Sequence, residues 1–346
     1  MMKKHFLYSV PLALSLLLSG CAQADPMSSG SHPPIRLSAW VAAWDMESGA
    51  KEYKKLHRHL DSMSCFAVHY GKDDRLVIPE ETRQIAALAK KSGQKQRYLT
   101  FDNDWEDGTG TARLKDVELM KRLLADDEAK DRTIRDIIAA AKELDCTGVE
   151  LDYEAFWKDE KLLQDYLSFT YLLSSACLKE GLPLRIVLEP GMPMDAGLCK
   201  GPEYVVMFYN LYGKHSGPGP KADRDFIAKT VKKMEAIPGK KGAAFATGGC
   251  IWEDYGLLGL SKGPIRFIDE EEAAALAKAH QATLERDADS AALHFTFEEN
   301  GKSCEVWYAD SETLNAWIKA AADAGIENIS LWRLGHNVDI RKVDAK

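Results

Sequence analysis

Three carboxylate side chains stand at alternate positions near the middle of the chain. Glu150, Asp152 and Glu154 alternate there with apolar or aromatic residues. The alternation predicts a β-strand in which the three carboxylates share one face, each about 6–7 Å from the next. Like charges at this spacing raise one another's pKa, so at least one carboxyl group is expected to stay protonated near neutral pH. A protonated carboxylic acid beside an ionised one can cleave a glycosidic bond.

An exposed edge strand with a solvated acidic face is the alternative interpretation of this pattern. The other face of the strand, formed by Val149, Leu151 and Tyr153, is too apolar for an exposed sheet. Helical patterns also flank the strand on both sides, which favours a covered sheet. We therefore expect a buried strand whose carboxylates face a site.

The same strand resembles the signature strand of glycoside hydrolase family 18. The usual pattern of that strand is Asp-Gly-x-Asp-x-Asp-aromatic-Glu. The chain matches it at Gly148, Asp152, Tyr153 and Glu154. It departs from it at Thr147 and Glu150, where the family usually has Asp. The terminal Glu and the Asp two residues before it are the chemical pair of the family, and both are present here.

Two further segments resemble the spore-cortex-lytic, peptidoglycan-directed branch of this family. Residues 208–210 resemble its Met-x-Tyr-Asp segment, so Tyr209 takes the place of the tyrosine that contacts the substrate acetamido group. Asn210 stands where many members have Asp, and it can form hydrogen bonds without carrying charge. Residues 329–335 resemble the closing strand of the branch, in which Trp332 would form the aromatic floor under the sugar. Ordinary core packing is the alternative for both aromatic residues.

The resemblance implies a glycosidase that cleaves a β-linked glycan containing N-acetylglucosamine, with retention by substrate assistance. Glu154 would protonate the leaving oxygen, and the substrate's own acetamido oxygen would attack the anomeric carbon. Asp152 would orient the acetamido group, and Tyr209 would bind its oxygen. Glu150 would tune Asp152 by like-charge coupling, and the expected substrate-binding residues are Glu150, Asn210 and Trp332. No metal or organic cofactor is needed for this reaction. A catalytically inactive sugar-binding barrel of the cell envelope is the alternative.

Apolar segments that alternate with helical patterns predict the elements that position these residues. Besides the carboxylate strand, the expected strands are Ile35–Trp44, Met63–Tyr70, Gln96–Phe101, Leu184–Leu188, Tyr204–Tyr209, Gly242–Thr247 and Asn328–Leu334. Eight such strands favour an α/β protein with a (β/α)8 TIM barrel over residues 35–346, with its site at the carboxyl ends of the strands. An open doubly wound sheet is the alternative, although the chain has no Gly-rich phosphate loop to support it.

A small α+β insertion is expected between the seventh and eighth strands, at about residues 251–310. Two apolar runs, residues 291–297 and 304–308, flank Asn300 and Gly301. An Asn-Gly pair between apolar runs is a strong β-hairpin signal. Residues 305–308 also resemble the insertion segment of the peptidoglycan-directed branch.

The amino terminus has the features of a secreted lipoprotein. Basic residues precede the apolar run Phe6–Leu18, which at roughly 13 residues is too short for a confident membrane-spanning helix. The run ends in Leu18-Ser19-Gly20-Cys21, which resembles a bacterial lipobox and implies cleavage before a lipidated Cys21. We expect a signal peptide at residues 1–20 and a flexible tether at residues 21–34. The protein would then be exported and lipid-anchored in the cell envelope, on the outer membrane of a Gram-negative source, facing the periplasm or exterior. An ordinary signal peptide with a chance cysteine is the alternative.

Charge and cysteine content limit the partners and the covalent chemistry. The formal net charge of −8 makes a nucleic-acid partner unexpected, and the sequence does not define an oligomeric state. Among the 7 cysteines, Cys65, Cys146 and Cys177 lie in apolar contexts and are expected to be buried free thiols. Cys250 and Cys304 lie in the same late region and are the expected disulfide pair. No cysteine or histidine spacing is typical of a metal site.

Overall fold

The computed structural model describes residues 34–253 and 263–344. The expected signal peptide, Cys21 and almost all of the tether lie outside the described residues, as do residues 254–262 of the expected insertion. The described strands are β1 (Arg36–Ala42), β2 (Ser62–Tyr70), β3 (Leu76–Val77), β4 (Gln96–Glu106), β5 (Ala112–Arg113), β6 (Gly148–Asp152), β7 (Leu184–Leu188), β8 (Glu203–Met207), β9 (Lys240–Ala246), β10 (Gly248–Glu253), β11 (Ile265–Ile268), β12 (Glu285–Arg286), β13 (Leu293–Glu299), β14 (Lys302–Ala309) and β15 (Asn328–Trp332).

Helices are interspersed with these strands along the chain. They are α1 (Met46–Leu56), α2 (Glu80–Lys91), α3 (Val117–Leu123), α4 (Asp127–Glu143), α5 (Glu160–Lys179), α6 (Arg224–Met234), α7 (Glu270–Ala279) and α8 (Ser311–Asp323). Six of them begin at an aspartate whose carboxylate accepts a hydrogen bond from the first turn: Asp116, Asp126, Asp159, Asp223, Asp269 and Asp310. Such caps satisfy backbone N–H groups that have no partner within the helix, so the sequence fixes where these helices begin. Within the described residues, no helix is both long enough and apolar enough to span a membrane.

The parallel strands close into a barrel. Their order is β2, β1, β15, β9, β8, β7, β6, β4, and β4 pairs in turn with β2. The short strand β3 pairs antiparallel with β2, and the short strand β5 pairs antiparallel with β4. The predicted (β/α)8 TIM barrel is thereby confirmed. Eight strands give an interior that side chains can fill, so the barrel has a packed core and presents its site at one end.

Side chains on each barrel strand alternate between the helix layer and the interior. On β6, Val149 and Leu151 join the large apolar core between strands and helices. Glu150 and Asp152 have the opposite parity and face the interior. A smaller aromatic and apolar cluster fills the interior near the carboxyl ends of the strands, and it contains Trp40, Phe66, Ala67, Val187, Val205, Met207 and Ala244.

A second, antiparallel sheet stands between β9 and β15 in the chain. Its order is β11, β10, β14, β13, β12, and its own core contains Ile251, Phe295 and Val306. Asn300 and Gly301 connect β13 to β14, and both have positive φ, of 52° and 73°. A two-residue hairpin turn needs positive φ at both positions, which an Asn-Gly pair tolerates. The insertion between the seventh and eighth barrel strands therefore has the α+β character that the sequence predicts.

The expected Cys250–Cys304 disulfide is wrong, because both thiols are free. The two residues lie on the neighbouring strands β10 and β14, but Cys250 is opposite Trp307 and Cys304 is opposite Glu253. An offset of three residues puts them about 10 Å apart along the strands and on opposite faces of the sheet, which no disulfide can span. The prediction that Cys65, Cys146 and Cys177 are buried free thiols is confirmed.

Candidate active site

The candidate site lies at the carboxyl ends of β4, β6 and β8. Asp152 is the last residue of β6, and Glu154 follows two residues later. β4 runs five residues beyond the predicted end at Phe101, to Glu106, so it carries Asp102 alongside Asp152 in register. The site thus has a second acidic strand beside the first.

The Glu154 backbone is clamped from the neighbouring strand. Its N–H donates to Asn103 Oδ1 at 2.9 Å, and its carbonyl oxygen accepts from Asn103 Nδ2 at 3.1 Å. Its side chain is 15% exposed and forms an ion pair with Lys115, whose Nζ lies 2.6 Å from Glu154 Oε2. Burial raises the pKa of Glu154 above its ordinary value, Lys115 opposes that effect, and the nearby carboxylates of Glu189 and Asp104 add to it. A raised pKa is what a general acid needs in order to hold its proton near neutral pH.

Asp152 is a buried carboxyl group that faces other carboxyl groups. Burial raises its pKa well above the ordinary value, and the charges of Glu154, Glu150 and Asp102 raise it further. Among the described residues, its Oδ1 atom has no hydrogen-bond partner. Buried polar atoms are nearly always hydrogen-bonded, so this oxygen is available to a hydrogen-bond donor that reaches the carboxyl end of β6.

Asp102 is a site residue that the strand prediction did not single out. It is buried next to Asp152, and burial together with the charge of Asp104 raises its pKa well above the ordinary value. In the sequence, Asp102-Asn103-Asp104-Trp105 directly follows the predicted strand Gln96–Phe101. The alternation of Asp102 and Asp104 with other residues was the available sign that the strand continues.

Tyr209 lies two residues after β8 and joins the same cluster. Burial raises its pKa well above the ordinary value, and Asp152, Glu154 and Glu150 raise it in that order of influence. The structure therefore brings together the three residues expected to carry the chemistry, Asp152, Glu154 and Tyr209. Asn210 is exposed, adopts a φ of 67°, and has its Oδ1 atom 3.5 Å from Lys221 Nζ. It stands at the rim of the cluster.

Trp332 forms part of an aromatic wall at the end of β15. Its ring packs edge-on against Phe66, Trp40 and Trp44, with centroid separations of 4.7, 5.7 and 6.2 Å. Trp332 is only partly buried, and Trp44 is 64% exposed. Aromatic faces left accessible beside a polar cluster suit the apolar faces of sugar rings.

The structure contradicts the expectation that Glu150 contacts substrate. Glu150 is 0% exposed and lies one layer below Asp152 in the barrel interior. Its Oε1 accepts from Trp40 Nε1 at 2.5 Å and from Thr100 Oγ1 at 2.7 Å, and its Oε2 accepts from Ser64 Oγ at 3.1 Å. The buried Arg185 completes the set, with its Nε atom 3.3 Å from Glu150 Oε2. Both oxygens are occupied, so Glu150 acts on the site through its charge, which raises the pKa values of Asp152 and Tyr209.

Glu189, at the end of β7, is a further residue that the sequence did not reveal. Its Oε2 atom accepts from Ala155 N at 2.8 Å and from Trp157 Nε1 at 2.9 Å. These contacts fix the chain directly after Glu154. In the part of the chain that the structure describes, no group of three or more His, Cys, Asp or Glu side chains is arranged to hold a metal ion.

No family model matches the chain, but comparisons of sequence and of structure find similar proteins. A cortical fragment-lytic enzyme of Bacillus cereus is 25% identical over 306 residues, which cover 84% of this chain and 68% of that protein. The crystal structure of the Bacillus cereus spore cortex-lytic enzyme SleL superposes with a TM-score of 0.75 at 20% identity, covering 89% of this chain and 72% of that one. A class V chitinase from Nicotiana tobaccum, in complex with NAG4, gives a TM-score of 0.70 at 13% identity, covering 90% and 98%.

The sequence relative and the structural neighbours share one fold with this chain. The likeness extends over 84–90% of this chain. The resemblance to glycoside hydrolase family 18 is therefore confirmed, and the chain is similar to the cortical fragment-lytic enzymes of its spore-cortex-lytic branch.

Proposed function

We propose that this protein is a glycoside hydrolase that cleaves β-linked glycans containing N-acetylglucosamine, with peptidoglycan as its substrate class. The observation that carries the proposal is Glu154, a carboxyl group of raised pKa at the carboxyl end of β6, beside Asp152 and Tyr209. The names of the relatives support the same class of glycan, since one is a cortical fragment-lytic enzyme and one neighbour holds NAG4.

In the proposed reaction, Glu154 gives its proton to the glycosidic oxygen as the bond to the anomeric carbon breaks. The acetamido oxygen of the same sugar attacks the anomeric carbon and forms a cyclic intermediate. Water then attacks that carbon and passes a proton back to Glu154. The acid of the first step is thus the base of the second.

Asp152 and Tyr209 have the chemistry to hold the acetamido group during this sequence. Asp152 keeps a proton more readily than an exposed aspartate, because burial and three carboxylate neighbours raise its pKa. A carboxyl group in that state is a poor nucleophile, but it can bind the acetamido N–H or share a proton with it. The Tyr209 hydroxyl, also kept protonated by its surroundings, can donate to the acetamido oxygen. These properties favour substrate assistance over a covalent intermediate on Asp152.

A turnover assay tests the proposed activity. Purified protein is incubated with peptidoglycan and with N-acetylglucosamine oligomers, and new reducing ends are identified by mass spectrometry. Release of N-acetylglucosamine reducing ends supports the proposal. Binding of both glycans without turnover would instead establish a sugar-binding barrel, and neither binding nor turnover would refute the substrate class.

Glu154→Gln is the decisive variant for the assignment of the acid. It keeps the shape of the side chain but removes the proton donor, and general acid catalysis is worth about 10²–10⁴-fold in rate. We expect kcat on an unactivated glycan to fall by at least the lower end of that range. Glu118→Gln is the matched control, since Glu118 lies on the exposed face of α3 and pairs with Lys121 at 2.8 Å. Equal turnover by the two variants would show that Glu154 is not the acid.

We further propose that the protein is exported and anchored by a lipid on Cys21. The support is the lipobox-like sequence before that residue. A tether would let the barrel reach a glycan of the cell envelope, which fits the proposed substrate class.

A further inference from the structure

The loop between β5 and α3 brings an ammonium group to the carboxyl group proposed as the acid. Lys115 Nζ lies 2.6 Å from Glu154 Oε2, within hydrogen-bonding distance. The Lys115 side chain is 46% exposed, whereas that of Glu154 is 15% exposed. The lysine therefore reaches in from the solvent side and contacts a carboxyl group that is largely shielded from water.

The end of β4 holds the backbones of both partners. Asn103 binds the N–H and the carbonyl oxygen of Glu154 through its side chain. The next residue, Asp104, accepts a hydrogen bond from Lys115 N at 2.7 Å through its Oδ1 atom. Asp116 N donates to the Asn103 carbonyl oxygen at 2.8 Å, which ties down the residue that follows the lysine. Adjacent residues on one strand thus set the separation of the two charged side chains.

Lys115 adopts a conformation that a lysine rarely occupies. Its φ is 55°, in the left-handed region where side chains other than glycine are strained. Such a conformation persists only when the surroundings enforce it, and it is frequent at functional sites. Here Asp104 holds the lysine N–H, and Asp116 caps α3 and accepts from Arg113 Nε at 2.7 Å. The loop is built to present this side chain.

The surroundings of Glu154 are otherwise acidic. Burial and its acidic neighbours favour the protonated form of Glu154, and Lys115 favours the ionised form. The titratable groups that face this cluster from the elements around it are Asp102 and Asp104 on β4, Asp152 on β6, Glu189 after β7 and Tyr209 after β8. The lysine therefore offsets a concentration of negative charge at the point where proton transfer is proposed.

We propose that Lys115 is a positioning residue of this site, which holds the Glu154 carboxyl group in place beyond the end of β6 and sets the highest pH at which that group still carries a proton. The inference rests on the proposed function, because it assigns a role beside the acid of that reaction. When Glu154 gives its proton to the glycosidic oxygen, the ammonium group stabilises the carboxylate that is left. That carboxylate then accepts a proton from the attacking water, so the pair is restored at the end of each cycle.

Lys115→Met removes the charge and keeps most of the apolar stem. In a pH profile of kcat/KM, the limb at high pH reports the acid of the free enzyme, and we expect it to move to higher pH in this variant. At the plateau, kcat should fall about tenfold or more, the effect of losing one charge-assisted hydrogen bond. Lys115→Arg keeps the charge, so it should bring the high-pH limb and the plateau kcat part of the way back to their wild-type values. Lys121→Met, which removes an exposed lysine of α3, should change neither.

A second measurement does not depend on turnover. The carboxyl carbon of Glu154 is followed by NMR titration of ¹³C-labelled protein and assigned by its loss in Glu154→Gln. Its midpoint should rise in Lys115→Met and stay near the wild-type value in Lys115→Arg. Unchanged midpoints and an unchanged pH profile in an active, folded Lys115→Met variant would overturn the inference. If the wild-type protein cleaves no glycan, the proposed function fails, and the titration still decides whether Lys115 controls the proton on Glu154.

Discussion

Replacing Arg185 by methionine tests the charge arrangement beneath the site. Arg185 is 1% exposed, and its guanidinium group lies 3.3 Å from Glu150 Oε2 and donates to Ser330 Oγ at 2.8 Å. Arg185→Met leaves the Glu150 carboxylate buried without its cation. Removing one partner of a buried ion pair costs about 3–5 kcal/mol, because the remaining charge stays out of water. We expect the free energy of unfolding to fall by an amount in that range.

The remaining contacts of Glu150 place the expected loss near the lower end, at about 3 kcal/mol. The 3.3 Å contact with Arg185 Nε is an ion pair without the alignment of a hydrogen bond. Three neutral donors stay on the carboxylate after the substitution, from Trp40, Ser64 and Thr100. Ser330 loses one partner but keeps its 2.6 Å contact with Ser38 Oγ, so its hydroxyl group is not left unpaired. The variant therefore loses the charge pairing while most of the polar network persists.

Urea unfolding of four proteins measures this effect: wild type, Arg185→Met, Glu150→Gln and the double variant. The double variant should be more stable than Arg185→Met alone, since it leaves no unpaired buried charge. Arg122→Met is the matched surface control, because Arg122 pairs with the partly exposed Asp74 at 2.8 Å, and it should cost less than about 1 kcal/mol. A loss below about 1 kcal/mol in Arg185→Met, or a double variant no more stable than it, would refute the reasoning.

Two further predictions concern the proposed mechanism and location. Tyr209→Phe should weaken competitive inhibition by a thiazoline that mimics the cyclic intermediate, by about 0.5–3 kcal/mol for the lost hydrogen bond, as measured by inhibition constants. In the same series, a covalent adduct on Asp152 after treatment with a 2-fluoro sugar, detected by mass spectrometry, would replace substrate assistance with a two-carboxylate mechanism. Cys21→Ser should abolish incorporation of a labelled fatty acid in a bacterial host. A mature wild-type protein that begins elsewhere than Cys21 would contradict the lipid anchor.

Local patterns were sufficient to predict most of the barrel. The strand Leu184–Leu188 was predicted to the residue, and most other barrel strands were predicted within about two residues of their ends. Five strands, β3, β5, β10, β11 and β12, have no counterpart among the predicted strands. β10 begins with two glycines, which have no side chains to show an alternating pattern. The insertion also departs from the repeated strand-helix pattern on which the prediction of the barrel depends. Alternation is a local property, whereas the pairing of β10 with β14 is set by contacts distant in sequence.

The disulfide prediction failed for a related reason. The disulfide between Cys250 and Cys304 is predicted because both residues lie in the same late region of the chain. The register of β10 and β14, however, decides which residues are opposite each other and which face of the sheet they occupy. Register depends on the whole antiparallel sheet, so the cysteine spacing does not contain it.

Local sequence patterns predict the fold class and the acidic strand, because strand alternation and the residue types at 148–154 do not depend on contacts distant in the chain. The alternation places Glu154 within that strand, whereas the strand ends at Asp152 and Glu154 follows two residues later, at the end where a barrel places its site. Tertiary structure alone decided the environment of each carboxyl group. The parallel pairing of β4 with β6 puts Asp102 beside Asp152. In the barrel interior, Glu150 forms an ion pair with Arg185 and accepts hydrogen bonds from three neutral donors. A carboxyl group's pKa depends on burial and on charges within a few ångströms, and the residues that supply them come from strands far apart in the chain.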